Sequence, residues 1–402
     1  MIWESVDRLI DKSPELSDLR AHGLQLLAAR YWRSLGQPVP VDLVSEELWA
    51  ALRNRAARTL LEKIRATCEG PIILIKGPAI GVYYSDPALR PFHDLDLLVS
   101  DADAAQRALL AAGFEPSPAE LHPETTHHLR PLRMPEIPLY VELHRYPKWI
   151  DGLPPPSLDE LLAGAEPAAL GVDGILTLTP SHHALVVTAH LWAHDPLVRL
   201  LRVVDAAVLA EAADRQELDT LAAAWRMTKP WNATIAVARS LLYDEKPPWA
   251  LRIWARHVPA VREATVVDLQ LGRLLSAFSV LPAHRAMGTL GKALRGDLRP
   301  LPNESWRRKL ERTAEQLRRP SMRGSEHVRS AQASWVEWTA SMPPSSPIAE
   351  PARSSPPLDE PSTATPSPNS PPQPSHQPLN EPSTGNPSPS SNCPRRRQTN
   401  RP

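Results

Sequence analysis

"LIKGPAIGVYYSDPALRPFHDLDLLV", residues 74–99, holds two patterns that together decide the fold. Its start closes a mostly branched run, Ile72, Ile73, Leu74 and Ile75, of the kind that fills a buried strand. Lys76 and Gly77 end that run, and Pro78 stands where a helix would take its first residue. The order is strand, glycine turn, helix. The end of the stretch, Asp94 to Val99, sets two carboxylates one residue apart in an otherwise apolar strand. Side chains at i and i+2 leave the same face of a strand, with Cα atoms about 6–7 Å apart. Asp94 and Asp96 therefore project together, while Leu95 and Leu97 turn the other way into a core.

Two carboxylates this close repel unless a cation joins them, and hard oxygen ligands favour Mg²⁺ or Mn²⁺ over zinc. In "YVELHRY", residues 140–146, the same alternation puts Tyr140, Glu142 and His144 on one face. Glu142 is then a third carboxylate on a neighbouring strand. Three acids so placed form the clamp that phosphoryl or nucleotidyl transfer uses. The glycine turn supplies the complement. Gly77 lets a phosphate approach the backbone, the helix opening at Pro78 aims unpaired amides at it, and Lys76 or Arg90 adds charge.

Each residue also has a plain structural reading. The aspartates could be a solvated edge pair, Lys76 a solvated strand end, His144 a polar cap, and Arg90 the partner of Asp86 or Asp94. His127 and His128 are adjacent on a further candidate strand, so one of them should face away from any site. His183, His190 and His194 fall on one helix face. "HLWAH" lacks the glutamate of a zinc-protease helix, so packing or hydrogen bonding is the expected role. Arg202 and Asp205, three apart, read as an ordinary helix ion pair.

Among 402 residues, 45 Lys and Arg balance 45 Asp and Glu, so no global field points to nucleic acid or membrane. Cysteines are two, Cys68 and Cys393, too sparse for a disulfide framework. The N-terminus is charged without a signal-like apolar stretch, and no apolar run is long enough to span a bilayer. A cytoplasmic protein without membrane contact is expected.

Helical periodicity runs through residues 1–68, with Ser45 as a candidate helix start. Residues 69–150 carry the strands and the "DADAAQRALLAAGFEP" helix, which Gly113 stops. Residues 151–340 read as mostly helical, broken at "DGLPPPS" and "DEKPPW". Of the 46 prolines, 18 fall between Pro343 and Pro402 among Ser, Thr and Asn, so residues 341–402 are expected to form a disordered tail. Residues 285–329 hold twelve Lys and Arg against five Asp and Glu, a solvated face first and an RNA contact second.

The quoted stretch, with "HHLRPL" at 127–132 and "VELHRY" at 141–146, resembles the uncharacterised nucleotidyltransferase family of the polymerase-β-like superfamily. That family reads as an "LKG" turn, an "R-P-x-x-D-x-D-L-L-V" strand and a later "V-E-L-H". The likeness covers residues 70–146 and continues through "HHALVVTAHLWAHDPLVRLLRVVDAAVL", residues 182–209. It implies an α+β fold, a small mixed sheet flanked by helices, with an N-terminal helical segment and a C-terminal helical domain. It further implies a metal-dependent nucleotidyltransferase that moves a nucleoside monophosphate from a nucleoside triphosphate, ATP among them, to an unknown acceptor, releasing pyrophosphate. Asp94, Asp96 and Glu142 would be the catalytic metal ligands for Mg²⁺ or Mn²⁺. Lys76, Gly77 and Arg90 would hold the nucleotide, and the resemblance alone would set Arg202 and Asp205 along the nucleotide cleft instead of in a plain ion pair. Pro78 and Ala79 replace the Gly or Ser that many superfamily members place after the glycine, which removes one hydroxyl contact to phosphate. Two other functions remain open: a nucleotide-binding module without turnover, and a toxin-like enzyme acting on transfer RNA. The acceptor would be a small molecule, a protein or RNA.

Overall fold

A computed structural model of the chain describes residues 2–13, 15–117, 127–135, 137–298, 305–309 and 311. All of these belong to the first of the chain's two units, residues 1–343. The expected tail and most of the basic 285–329 segment lie outside the described residues.

Four helices come first: α1 (Ile2–Ile10), α2 (Leu16–His22), α3 (Gln25–Ser34) and α4 (Val41–Thr67). There follow β1 (Ile72–Leu74), the single turn α5 (Pro78–Gly81), β2 (Asp94–Val99), α6 (Ala102–Ala111), β3 (Glu115–Pro116), β4 (Leu132–Met134) and β5 (Ile137–His144). After α7 (Leu158–Ala163) come β6 (Ala165–Pro167) and β7 (Ile175–Leu178). The rest is helical: α8 (Pro180–Ala193), α9 (Leu200–Ala212), α10 (Arg215–Ala224), α11 (Thr228–Leu242), α12 (Trp249–Ile253), α13 (Val266–Val280) and α14 (Ala283–Leu298). None of the described helices is long and apolar enough to cross a membrane.

The seven strands form one mixed sheet in the order β3-β4-β5-β2-β1-β7-β6, so the expected α+β class is what the chain adopts. β2 lies parallel to β5 and antiparallel to β1, and β1 lies parallel to β7. Two of these strands come from the segment read as mostly helical. "ILTL" at 175–178 is short and ends before Pro180, the first residue of α8, so helical periodicity around it masked a strand buried beside β1.

Apolar residues sort to the two faces by the period of two. Ile72, Leu74, Leu95, Leu97, Val99, Val141 and Leu143 form a layer with the second half of α4 (Leu60, Leu61 and Ile64) and with Leu109 of α6. Ile73, Ile75 and Leu98 point the other way, into a larger core with α1, α3, α8 and α9. α4 belongs to both layers, since its Leu43 and Ala50 sit in the larger core. It starts at Val41 behind Pro40, so Ser45 lies inside the helix with its Oγ donating to the Val41 carbonyl (3.3 Å). Proline fixes the entry φ, which settles the start before Ser45 can act as a cap.

Candidate active site

β2 and β5 run side by side in parallel, with Asp94 opposite Tyr140, Asp96 opposite Glu142 and Leu98 opposite His144. Asp94, Asp96, Glu142 and His144 therefore share the sheet face that turns away from the α4–α6 layer. Ligand atoms of Asp96, Glu142 and His144 all lie within 4.8 Å of one another. Asp94 stands one register step outside that cluster, while His144, read from sequence as an equal candidate for a polar cap, is inside it.

The cluster is charged and mostly enclosed. Asp96 is 2 % exposed and accepts from Lys76 Nζ at 2.7 Å and from His144 Nε2 at 3.0 Å. Glu142 Oε2 lies 3.5 Å from His144 Nε2 and 4.0 Å from His128 Nε2. Burial opposes a charge on Asp96, yet Lys76 and His144 overcome it and hold the carboxyl well below the usual range. Asp94 goes the other way, because burial and the neighbouring Asp96 and Glu142 charges push its proton affinity up. Burial also opposes protonation of His144, but its bonds to Asp96 and Glu142 win and raise it. Both His127 and His128 approach the His144 ring, at 5.7 and 5.4 Å between centroids, which corrects the expectation that one would face away. They follow an isolated bridge instead of a regular strand, so alternation does not apply to them.

Gly77 is the turn that brings Lys76 here. Its φ is +63°, and a Cβ on it would meet the Asp94 carbonyl oxygen at 3.2 Å. Glycine is required on both counts. The helix after it differs from expectation. α5 is one turn long, Pro78 has no N–H, and the amides of Ala79, Ile80 and Gly81 already donate to the carbonyls of Lys76 and Gly77. So short a segment closes its own hydrogen bonds, and residues 78–81 offer a phosphate no unpaired amide.

Arg90 is buried, and its donors reach neither Asp86 nor Asp94. Nε and Nη2 donate to the two carboxylate oxygens of Asp205 (2.8 and 2.9 Å), and Nη1 donates to the Gly77 carbonyl (3.2 Å). Tyr84 Oη donates to Asp205 as well (2.7 Å). The helix ion pair expected between Arg202 and Asp205 is replaced by this arrangement, because a bidentate partner outcompetes one on the same helix.

The histidines of α8 divide. His183 is fully buried against the Ile75 carbonyl, 2.8 Å from its Nε2, a packing role as expected. His194, just past the helix, accepts from Lys148 Nζ at 2.9 Å. Lys148, four residues beyond β5, feels the charges of Lys76, Arg202 and Glu142. Lys148 was missed in sequence because nothing local distinguishes it from a solvated lysine.

Donors held within 4.8 Å suit one divalent ion, whose ligands at about 2.0–2.2 Å lie within roughly 4.4 Å of each other. The donor set is mixed, two carboxylates with one imidazole. A family model described as uncharacterised nucleotidyltransferase matches residues 15–243, more than half of the 402 residues. No curated protein matches the chain.

Proposed function

The chain belongs to the uncharacterised nucleotidyltransferase family, and from that membership we propose that it transfers a nucleoside monophosphate from a nucleoside triphosphate to an acceptor hydroxyl. The acceptor oxygen bonds to the α-phosphorus, the bridging bond to the β-phosphate breaks, and pyrophosphate leaves with the electron pair. The observation that carries this reading is the approach of Asp96 and Glu142 from paired strands beside the glycine turn. Asp94, Asp96 and Glu142, with His144 alongside, would hold the divalent ion. When bound, the ion would neutralise phosphate oxygens and favour ionisation of the attacking hydroxyl. Glu142, the more open of the two strand-paired carboxylates, would take the acceptor's proton. Lys76, now on Asp96, is the charge that an ion would free for phosphate. Gly77 lets the chain turn tightly beside β2, and Arg90 assists the nucleotide by holding the Gly77 carbonyl in place.

The test is pyrophosphate release from labelled nucleoside triphosphates with Mg²⁺ or Mn²⁺, supplied with a cell extract as acceptor pool. Asp96→Asn and Asp94→Asn should each lower release at least about 100-fold. Equal release by wild type and both variants removes the catalytic assignment. A second reading, nucleotide held without turnover, is favoured by one observation: Asp96 is already neutralised by Lys76 and His144. Calorimetric nucleotide binding with no release from any pool would select it.

A further inference from the structure

Over its first half α4 is apolar on two opposite faces, and the described residues cover only one of them. Leu43, Ala50 and Ala57 fall every seventh residue, about two turns apart, and are buried on one side. On the opposite side Val41, Val44, Leu48 and Leu52 follow at spacings of three and four, which makes one stripe along a helix. They are 83, 45, 61 and 43 % exposed, in that order. Ala51, beside them, is exposed as well. Single apolar side chains are ordinary on a protein surface, but four in one line over about three turns mark a face that meets something.

The charges beside the stripe are divided by position along the helix. Its first half carries acids only, Asp42, Glu46 and Glu47, and the charges that follow, Arg53, Arg55 and Arg58, are all basic. Part of this is balanced within the chain. Glu47 pairs with Arg33, and Arg58 pairs with Glu62. Asp42 and Glu46 share the one guanidinium of Arg20, so an acid remains in excess, and the Asp42 side chain is 60 % exposed. Arg55 is exposed and makes no ion pair among the described residues. The helix start thus keeps spare negative charge, and about 20 Å further along it keeps a spare positive one. A membrane surface would favour cations along the whole polar side of such a helix. A second α4 running the opposite way fits the division, because each end then meets the other sign.

We infer that this face of α4 is a self-association surface, on which two copies of the chain pair their α4 helices antiparallel about a two-fold axis. With Leu48 on the axis, Val44 of each copy meets Leu52 of the other, while Val41 and Asp42 of each lie beside the other's Arg55. The same patch serves both copies, so the assembly closes at two. Burying the stripes removes apolar surface from water on both sides, and the end charges fix the antiparallel direction. A contact built on one helix from each copy is small, which sets its dissociation constant at about 1–100 µM. This association does not depend on the reaction at the carboxylates of β2 and β5.

The experiment is sedimentation equilibrium of the full chain across about 1 to 200 µM, where wild type should pass from monomer to dimer. Leu48→Glu, which sets two carboxylates together on the axis, should weaken the dimer about a hundredfold or more, with the urea midpoint of dilute protein unchanged. Leu48→Ser gives the same direction should Leu48→Glu fail to fold. Asp42→Lys and Arg55→Glu should each weaken the dimer about tenfold, and the two together in one chain should return it to within about threefold of wild type. That recovery separates a directed pairing from general stickiness of the stripe. A wild type that stays monomeric throughout overturns the assignment and leaves the face to another part of the chain or to a different protein. So does a dimer indifferent to Leu48→Glu, or a double charge variant as weak as its two single changes combined. Leu48-dependent binding of the monomer to phosphatidylserine vesicles, without self-association, overturns it in favour of a lipid surface.

Discussion

A methyl group at position 77 would sit 3.2 Å from the Asp94 carbonyl oxygen, on a backbone with φ at +63°. Gly77→Ala should therefore cost about 1–3 kcal/mol of stability, read as a lowered urea midpoint at unchanged slope. Because the clash is with the β2 backbone at Asp94, pyrophosphate release should fall further than the folded fraction does. At this scale much of the site was legible. Asp94, Asp96, Glu142 and His144 share a face because a strand alternates, which a sequence displays directly. Lys148 was not legible, since its partner His194 lies 46 positions away. Arg90 was placed near the right turn with the wrong partner, because Asp205 lies 115 positions away.

Between elements, the clearest coupling is the bond of Arg90, at the entry to β2, to Asp205 in the middle of α9. It ties the strand that carries the carboxylates to the helix that carries Arg202. Asp205→Asn leaves a buried guanidinium without its counter-charge and should cost about 3–5 kcal/mol in urea unfolding. The double variant Arg90→Met, Asp205→Leu should lose less than the sum of the single variants, since it leaves no charge stranded. A double variant as unstable as that sum would mean the pair is not coupled. Elements were legible where one periodicity held for long enough. β1, β2 and α6 read correctly, whereas β7, four residues beside a proline-led helix, did not. The start of α4 was misplaced because a proline entry leaves no capping signature.

For the molecule as a whole, three buried histidines set the acid limit. His22, His183 and His257 are each brought down to about 4, chiefly by burial. Unfolded, they titrate near 6.5. Their contribution is therefore complete above pH 6.5 and is lost as pH falls from there toward about 4, where the unfolded chain alone binds the protons. Each should remove up to about 1.4 kcal/mol per pH unit in that window. Urea midpoints at pH 7, 6 and 5 check this, and a flat profile over that range would contradict it. The layered α+β plan was visible from alternating texture, but the shared role of α4 arises from contacts between distant segments.

Lys76 on Asp96 carries a last consequence. Because the protein brings its own ammonium group to the most enclosed acid of the cluster, folding should not depend on any ion that the proposed site takes up. Chelator should leave the unfolding curve where it was, in contrast to small domains that collapse once stripped of zinc. Titrating Mn²⁺ back should raise the midpoint gradually, by about 2.7 kcal/mol at a hundred times its dissociation constant. The shape of that rise would report the occupancy of the cluster without any turnover being followed.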